Sequence, residues 1–316
     1  FAMGNIALAL GSSECAVYLR RLPLIRLCES VYERLSDENE KVVNNAIRTA
    51  GHLFHLPTNK EGTQRRDSQI WLNLCDKFSL ELGRKINLAI MDTDSTLESR
   101  SWRQRSSAKK HAWGACQALL PIFQFFTIIT NGASAGEGIR TALVHLIQCL
   151  EHMDRMNAKI LMGAATTLAA VPVDIWYSMS VQVGQSIPGI CLATCLTKIG
   201  LPGTQSGIRH KIDRILEILL ACIDDNGILT CLDHTDLSLE SIQYLYTWMV
   251  DHDVDAQVYE SFGRILPLSH LRSDVSMIQR FQSRAIFEAR KARRSFNQSE
   301  HDDLMLLDED SDEDEL

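Results

Sequence analysis

Proline is scarce here, with seven in 316 residues, while 45% of the residues are hydrophobic. That balance excludes a proline-rich or charge-dominated disordered chain and favours a folded helical one. The nine cysteines (Cys15, Cys28, Cys75, Cys116, Cys149, Cys191, Cys195, Cys222 and Cys231) include no Cys-x-x-Cys pair. An odd number of them spread through apolar stretches predicts reduced, buried thiols of the cytosol or nucleus, not a secreted disulfide framework. Cys191 and Cys195 are four apart and share a helix face, but no His or Cys stands at zinc-site spacing from them.

Long apolar runs also look short. The longest uncharged one in this reading, Ile160 to Val173, is about fourteen residues against the ~20 a spanning helix needs, so no membrane segment is expected. The start of the chain has no basic region followed by an apolar region and cleavage site, and no signal peptide is expected. Neither a phosphate-cradling glycine loop, a His-Glu-x-x-His motif nor a nucleophile elbow is expected. The close histidines, His52 with His55, His234 beside Asp233, and His252 between Asp251 and Asp253, read as helix ends and solvated turns. The expectation is a protein that is not an enzyme and needs no metal or cofactor.

The net charge of −8 misleads. Ten carboxylates lie between Glu300 and Glu315, and setting them aside leaves 32 basic against 30 acidic side chains, a net of +2. The rest of the chain is thus nearly neutral, which gives no general case for nucleic acid.

What the sequence does have is a repeated helical hairpin. From Leu35 to Leu53, Asp37 followed by Glu40 has the form of a capping box, so a helix is expected to start there. Val42, Val43, Ala46, Ile47, Ala50, Leu53 and Phe54 recur at spacings of three and four and share one face, leaving Lys41, Asn44, Asn45 and Arg48 on the other. Ala46, Ala50 and Gly51 in mid-helix predict the close approach of another backbone, because Gly there otherwise costs about 1 kcal/mol relative to Ala. Upstream, Leu24, Leu27, Cys28, Val31 and Leu35 form a matching stripe after Pro23. Two helices joined by so short a turn lie antiparallel, and the pair alone leaves much of its apolar surface wet.

The pattern recurs. Ala2 to Ile6 repeats Thr49 to Leu53, so the chain is expected to start within a second helix whose partner is missing. Helices are expected over 14–35, 38–54, 70–91, 110–119, 139–150, 159–168, 174–183, 189–199, 207–224, 237–250, 255–266 and 274–296. Pro121 marks a kink or an end. Polar loops are expected over 55–68 and 92–110, with a glycine-rich turn over 131–138. Ala46, Ala115 and Ala164 mark equivalent positions, with spacing that suits hairpin repeats of ~40–47 residues carrying loop insertions. Residues 297–316 are expected to form a disordered acidic tail.

The series Leu35, Asp37, Val42, Ala46, Gly51, Leu53 resembles the HEAT repeat, although that repeat usually has a basic residue where Val43 stands. Lys41 to Leu53, Trp113 to Cys116, Ala164-Ala165 with Val171-Pro172, and Asp174 to Trp176 come in an order similar to HEAT-repeat proteins over roughly residues 1–225. The resemblance implies an all-α, armadillo-like superhelix, a solenoid of antiparallel helix pairs spanning 1–296. It also implies a scaffold or adaptor that binds other proteins and carries no active-site residues. Such a chain is expected to be intracellular, cytoplasmic or nuclear, and monomeric.

The partner-binding face expected here is the outward side of the second helices, typified by Asn44, Asn45 and Arg48. An alternative is a nucleic-acid-associated or transport-receptor-like solenoid. It would use Arg100, Trp102, Arg103, Arg105, Lys109 and Lys110 in a flexible loop, where cations grip phosphates and the aromatic stacks on a base. Arg290, Lys291, Arg293 and Arg294 read either as a localisation signal or as a basic helix end. Ser311, set among acidic residues, is a candidate phosphosite. Leu304 to Leu307 reads either as a short partner-docking or self-masking segment or as part of a solubilising tail.

Overall fold

The computed structural model describes residues 24–55, 68–92, 101–130, 134–180, 186–199 and 206–222. The chain divides into two compact units, Phe1–Asp236 and Leu237–Leu316, and every described residue belongs to the first. The expected helices beyond 223, the acidic tail, Ser311 and the Arg290 to Arg294 cluster lie outside the described residues, as do Arg100, Cys15 and Cys231.

Among the described residues there are nine helices and no strand: α1 (Leu24–Arg34), α2 (Glu40–Phe54), α3 (Ser68–Met91), α4 (Trp102–Thr130), α5 (Glu137–Glu151), α6 (Ala158–Leu168), α7 (Val173–Ser180), α8 (Ile187–Ile199) and α9 (Ser206–Cys222). The all-helical expectation holds for them.

The turn between α1 and α2 is built differently from the expected capping box. Asn39 is the cap, its Oδ1 accepting from the Lys41 N–H at 3.0 Å. Asp37 sits two residues earlier, accepting from the Asn39 N–H at 2.9 Å and pairing with Arg34 at 3.1 Å. It therefore braces the turn that delivers the cap. Those bonds, led by the one from Asn39, hold its carboxyl below the usual range.

A second departure is larger. The expected loop at 92–110 is helical from Trp102 onward, and α4 runs unbroken through Pro121 to Thr130. A capping box does start it, one residue before the helix: the Gln104 N–H donates to Ser101 Oγ at 3.4 Å, and the Ser101 N–H donates to Gln104 Oε1 at 3.0 Å. Pro121 cannot donate to the ladder, yet it is buried, and its neighbours Ile122 and Phe123 are wholly so. Packing on this helix outweighs the lost bond.

Helix α4 also corrects the reading of apolar length. Arg103–Thr130 is long and apolar enough by composition to cross a membrane. Its buried residues pack instead against α2, α3 and α6.

Packing follows a simple order. Each of α1/α2, α3/α4, α5/α6 and α8/α9 is a contacting pair. Along the chain α1 touches α3, α3 touches α5 and α5 touches α8, while α2 touches α4, α4 touches α6 and α6 touches α9. The first helices of the pairs thus form one row and the second helices another, with α7 against α4, α8 and α9.

Small residues set the spacing of the second row. A Cβ added to Gly51 would meet the Ala118 backbone of α4 at 3.3 Å, and one on Gly114 would meet Ile47 of α2 at 3.1 Å. Gly163 of α6 stands as close to Cys116 of α4, and Gly207 of α9 to Met162 of α6. The predicted close approach at Gly51 is therefore real, and it recurs at each step. Thr167 adds a bond across one seam, its buried hydroxyl donating to the Cys116 carbonyl at 2.7 Å.

An aromatic cluster fastens the first two pairs. Phe54 of α2 meets Phe78 of α3 and Phe125 of α4 edge to face, each at 5.4 Å between centroids, with Trp71 at 6.3 Å. Such pairs contribute about 0.5–1.5 kcal/mol each beyond the area they bury. Trp71 is buried against the cluster, whereas Ile70 and Leu88 of the same helix are exposed.

Candidate functional site

Of the residues expected to make contacts, Arg48 is exposed on α2 and Asn44 and Asn45 are half-buried beside it. Arg103, Arg105, Lys109 and Lys110 are all exposed, but on α4, which packs directly on α2. Two features that look separate in sequence therefore stand on neighbouring helices of one row. The helix also divides the basic group: Arg103 and Arg105 are 200° apart around its axis, whereas Lys109 and Lys110 are four and three residues before Trp113 and share its face.

Trp113, which enters the sequence pattern only within the Trp113 to Cys116 string, is the feature that stands out on this face. It is 40% exposed, and the Lys159 Nζ of α6 lies 5.8 Å from its ring centroid. Its inner edge lies against Gly163, where a Cβ would come within 3.5 Å of Trp113 Cδ1. Gly163 thus leaves room for the indole beside α6, where Lys159 reaches it. Cation–ring pairs at exposed sites contribute about 0.5–1 kcal/mol.

Charge separates the first three helices of the two rows, while α8 and α9 each carry one surplus cation. Helices α2, α4 and α6 carry seven basic side chains (Lys41, Arg48, Arg103, Arg105, Lys109, Lys110, Lys159) and one acidic, Glu40, all exposed. Helices α1, α3 and α5 carry six of each sign. The near-neutral sum read from the sequence hides this segregation. Heptad-scale periodicity separates inside from outside, but only the pairing order assigns a helix to a row.

No family model, known protein or solved structure matches this chain.

Three histidines sit where burial disfavours the charged ring. His111 of α4 lies 3.5 Å from the Glu40 carbonyl and 3.4 Å from Ser107 Oγ; burial chiefly, with Lys85 and Lys110, lowers its pKa against an opposing pull from Glu40. Burial also lowers His145, which stands against the Gly83 backbone, and His52, which has His55 and Arg48 nearby. None of them lies in a group able to hold a metal, and no such group exists among the described residues.

The string Gly132-Ala133-Ser134-Ala135-Gly136 does have the Gly-x-Ser-x-Gly spacing of a nucleophile elbow, which corrects the expectation of none. Its setting is different from an elbow: it connects two helices, where an elbow follows a strand, and Ser134 is exposed. Gly136 and Gly138 are glycine for another reason. An added Cβ on either would run into Asp76 of α3.

The seven described cysteines are all free and buried. Burial pushes the Cys28 and Cys149 thiols up to about 12, away from the thiolate form that nucleophilic or metal chemistry needs. Cys191 and Cys195 do come together, sharing a hydrogen bond within α8 that, with burial, raises Cys191 further.

Proposed function

We propose that this chain is a HEAT-type, armadillo-like α-solenoid that acts as a non-enzymatic scaffold, docking partner proteins on the outer face of its second-helix row. The two-row order of helix pairs supports the solenoid reading, since each pair has a stripe that only its neighbours cover. The single observation that carries the docking face is the concentration of unbalanced positive charge, together with an exposed Trp113, on α2, α4 and α6. Tryptophan and arginine are the side chains most enriched where interfaces concentrate their binding energy. Free, buried cysteines support an intracellular setting.

Nucleic acid is a second reading, favoured by the four cations near the start of α4. That reading takes Trp102 as its stacking ring; against it, the exposed indole among the described side chains of α2, α4 and α6 is Trp113 alone, with Lys159 beside it, where strand binding uses successive stacked bases.

The test is to place Asn44→Glu and Arg48→Glu together in the full chain and measure capture of cellular partners beside a circular-dichroism melt. Lost capture with an unchanged melt supports the docking face. Capture equal to wild type rejects it.

A further inference from the structure

We infer that the second-helix face takes an acidic protein segment bearing an apolar side chain, with its carboxylates on Lys109, Lys110, Lys159 and Arg48 and the apolar group against Trp113. The inference rests on the docking reading above and names the chemistry of its partner.

Charge complementarity is the first support. The four cations stand on three directly packed helices, and no carboxylate lies on α4 or α6 to neutralise them. Adjacent packed helices lie about 8–10 Å apart, so cations on α2, α4 and α6 form a strip that an extended acidic segment crosses within a few residues. Lys109 and Lys110 are exposed, and neither forms an ion pair within the described residues. By contrast, on the first row, Glu81 of α3 pairs with both Arg84 and Lys85. Cations held apart from carboxylates stay available to a partner's.

Trp113 supplies the second support. It is 40% exposed with the Lys159 ammonium beside its ring, so an apolar side chain on the indole places a neighbouring carboxylate within reach of that ammonium. A single strand of nucleic acid is instead held by successive stacked bases on several rings. Among the described side chains of α2 and α4, the four phenylalanines, Phe54, Phe123, Phe125 and Phe126, are buried and offer no stacking platform.

The experiment titrates full chain into a short fluorescein-labelled peptide of Asp and Glu with one central Phe, read by anisotropy. Three controls accompany it: the same peptide with Gln and Asn for the acids, the peptide with Ser for Phe, and labelled single-stranded polyuridylate. The inference expects the acidic peptide to bind and the Gln/Asn peptide not to. Lys109→Glu with Lys110→Glu should weaken it by roughly tenfold or more, mostly through slower association. Binding should also weaken as salt rises, and Trp113→Ala should remove the advantage of Phe over Ser. Polyuridylate that binds more tightly and displaces the peptide overturns the inference in favour of nucleic acid. No peptide binding, with partner capture still sensitive to Arg48→Glu, overturns the acidic chemistry and leaves the docking face standing. Loss of both overturns the two together.

Discussion

Asp76 of α3 caps a helix that begins sixty residues later in the chain, its Oδ1 accepting from the N–H of Gly138 at 2.7 Å and of Ile139 at 3.2 Å. Gly136 at the cap position of α5 has no side chain to do so. The first row is therefore joined by a cap supplied from its neighbour. Asp76→Ala is expected to cost about 0.5–2 kcal/mol, the range for losing a helix cap. Gly138→Ala is expected to cost about 1–3 kcal/mol, because its Cβ meets the Asp76 backbone, which cannot step aside. Urea midpoints of the two variants check this, and a midpoint equal to wild type for Asp76→Ala would remove the cap from the account.

Gly83 gives a sharper test of helix spacing. In an open helix, Gly→Ala stabilises by up to about 1 kcal/mol. Here the new Cβ would lie 3.0 Å from the Ala142 Cα of α5, and His145 Nδ1 would be 3.2 Å away. Gly83→Ala is therefore expected to lower stability by roughly 1–3 kcal/mol. A gain in the melting temperature would mean that α3 and α5 are not in this contact.

The second row has its own test in Thr167. Thr167→Val keeps the shape and removes the hydroxyl that donates to the Cys116 carbonyl, for an expected loss of about 1 kcal/mol. Thr167→Ser keeps the donor, so it should retain most of that contribution in the same denaturation assay.

These contacts mark where reading from the sequence stops. The stripes of α1 and α2 were legible, because Cys28, Val31, Val43, Ala46, Ile47 and Leu53 recur at helical spacing and are buried. Val43 shows why a basic residue is missing there: it is 4% exposed, within the core. The start of α4 left a local signal in the Ser101 to Gln104 capping box, but the density of charge after it resembles a loop, and the expectation of a loop over 92–110 missed it. Asp76 capping Gly138 was not legible, since a pairing across 62 positions leaves no local periodicity. Likewise, Trp113 reads as one more apolar position until α6 is set beside it. The union of Arg48 with Lys109 and Lys110 depends on which helices pair, and pairing is a tertiary fact.

Acid should weaken the fold through its histidines. His111, His145 and His52 have folded pKa values below the ordinary 6.5, so the unfolded chain takes up protons first as pH falls. Their contribution is fully present above about 6.5 and is lost as pH drops through the lowered folded values. Melting temperature should fall between neutral pH and pH 5 or so. In His111→Gln, which leaves Glu40, Lys85 and Lys110 in place, the dependence should be shallower. An equal slope would show that His111 titrates alike in both states.

The thiols set the alkaline side. Cys28 and Cys149 at about 12 contribute stability that is complete below the ordinary 9.0 and fades as pH rises from there. At mildly alkaline pH the native chain should leave Cys28, Cys75, Cys116 and Cys149 unmodified by maleimide, with labelling appearing only in denaturant. Mass mapping of the labelled peptides checks each site. Fast native labelling of Cys116, wholly buried here, would contradict the packing of α4 on α6.

The central claim is that partners meet the second row and not the first. Hydroxyl-radical footprinting of the full chain, with and without the bound acidic peptide, reads both rows in one sample. Trp113 at 40% exposure reports on α4, and Met91 at 48% reports on α3. The peptide is expected to slow oxidation of Trp113 and leave Met91 unchanged; protection of Met91 with Trp113 still open would contradict docking on the second row.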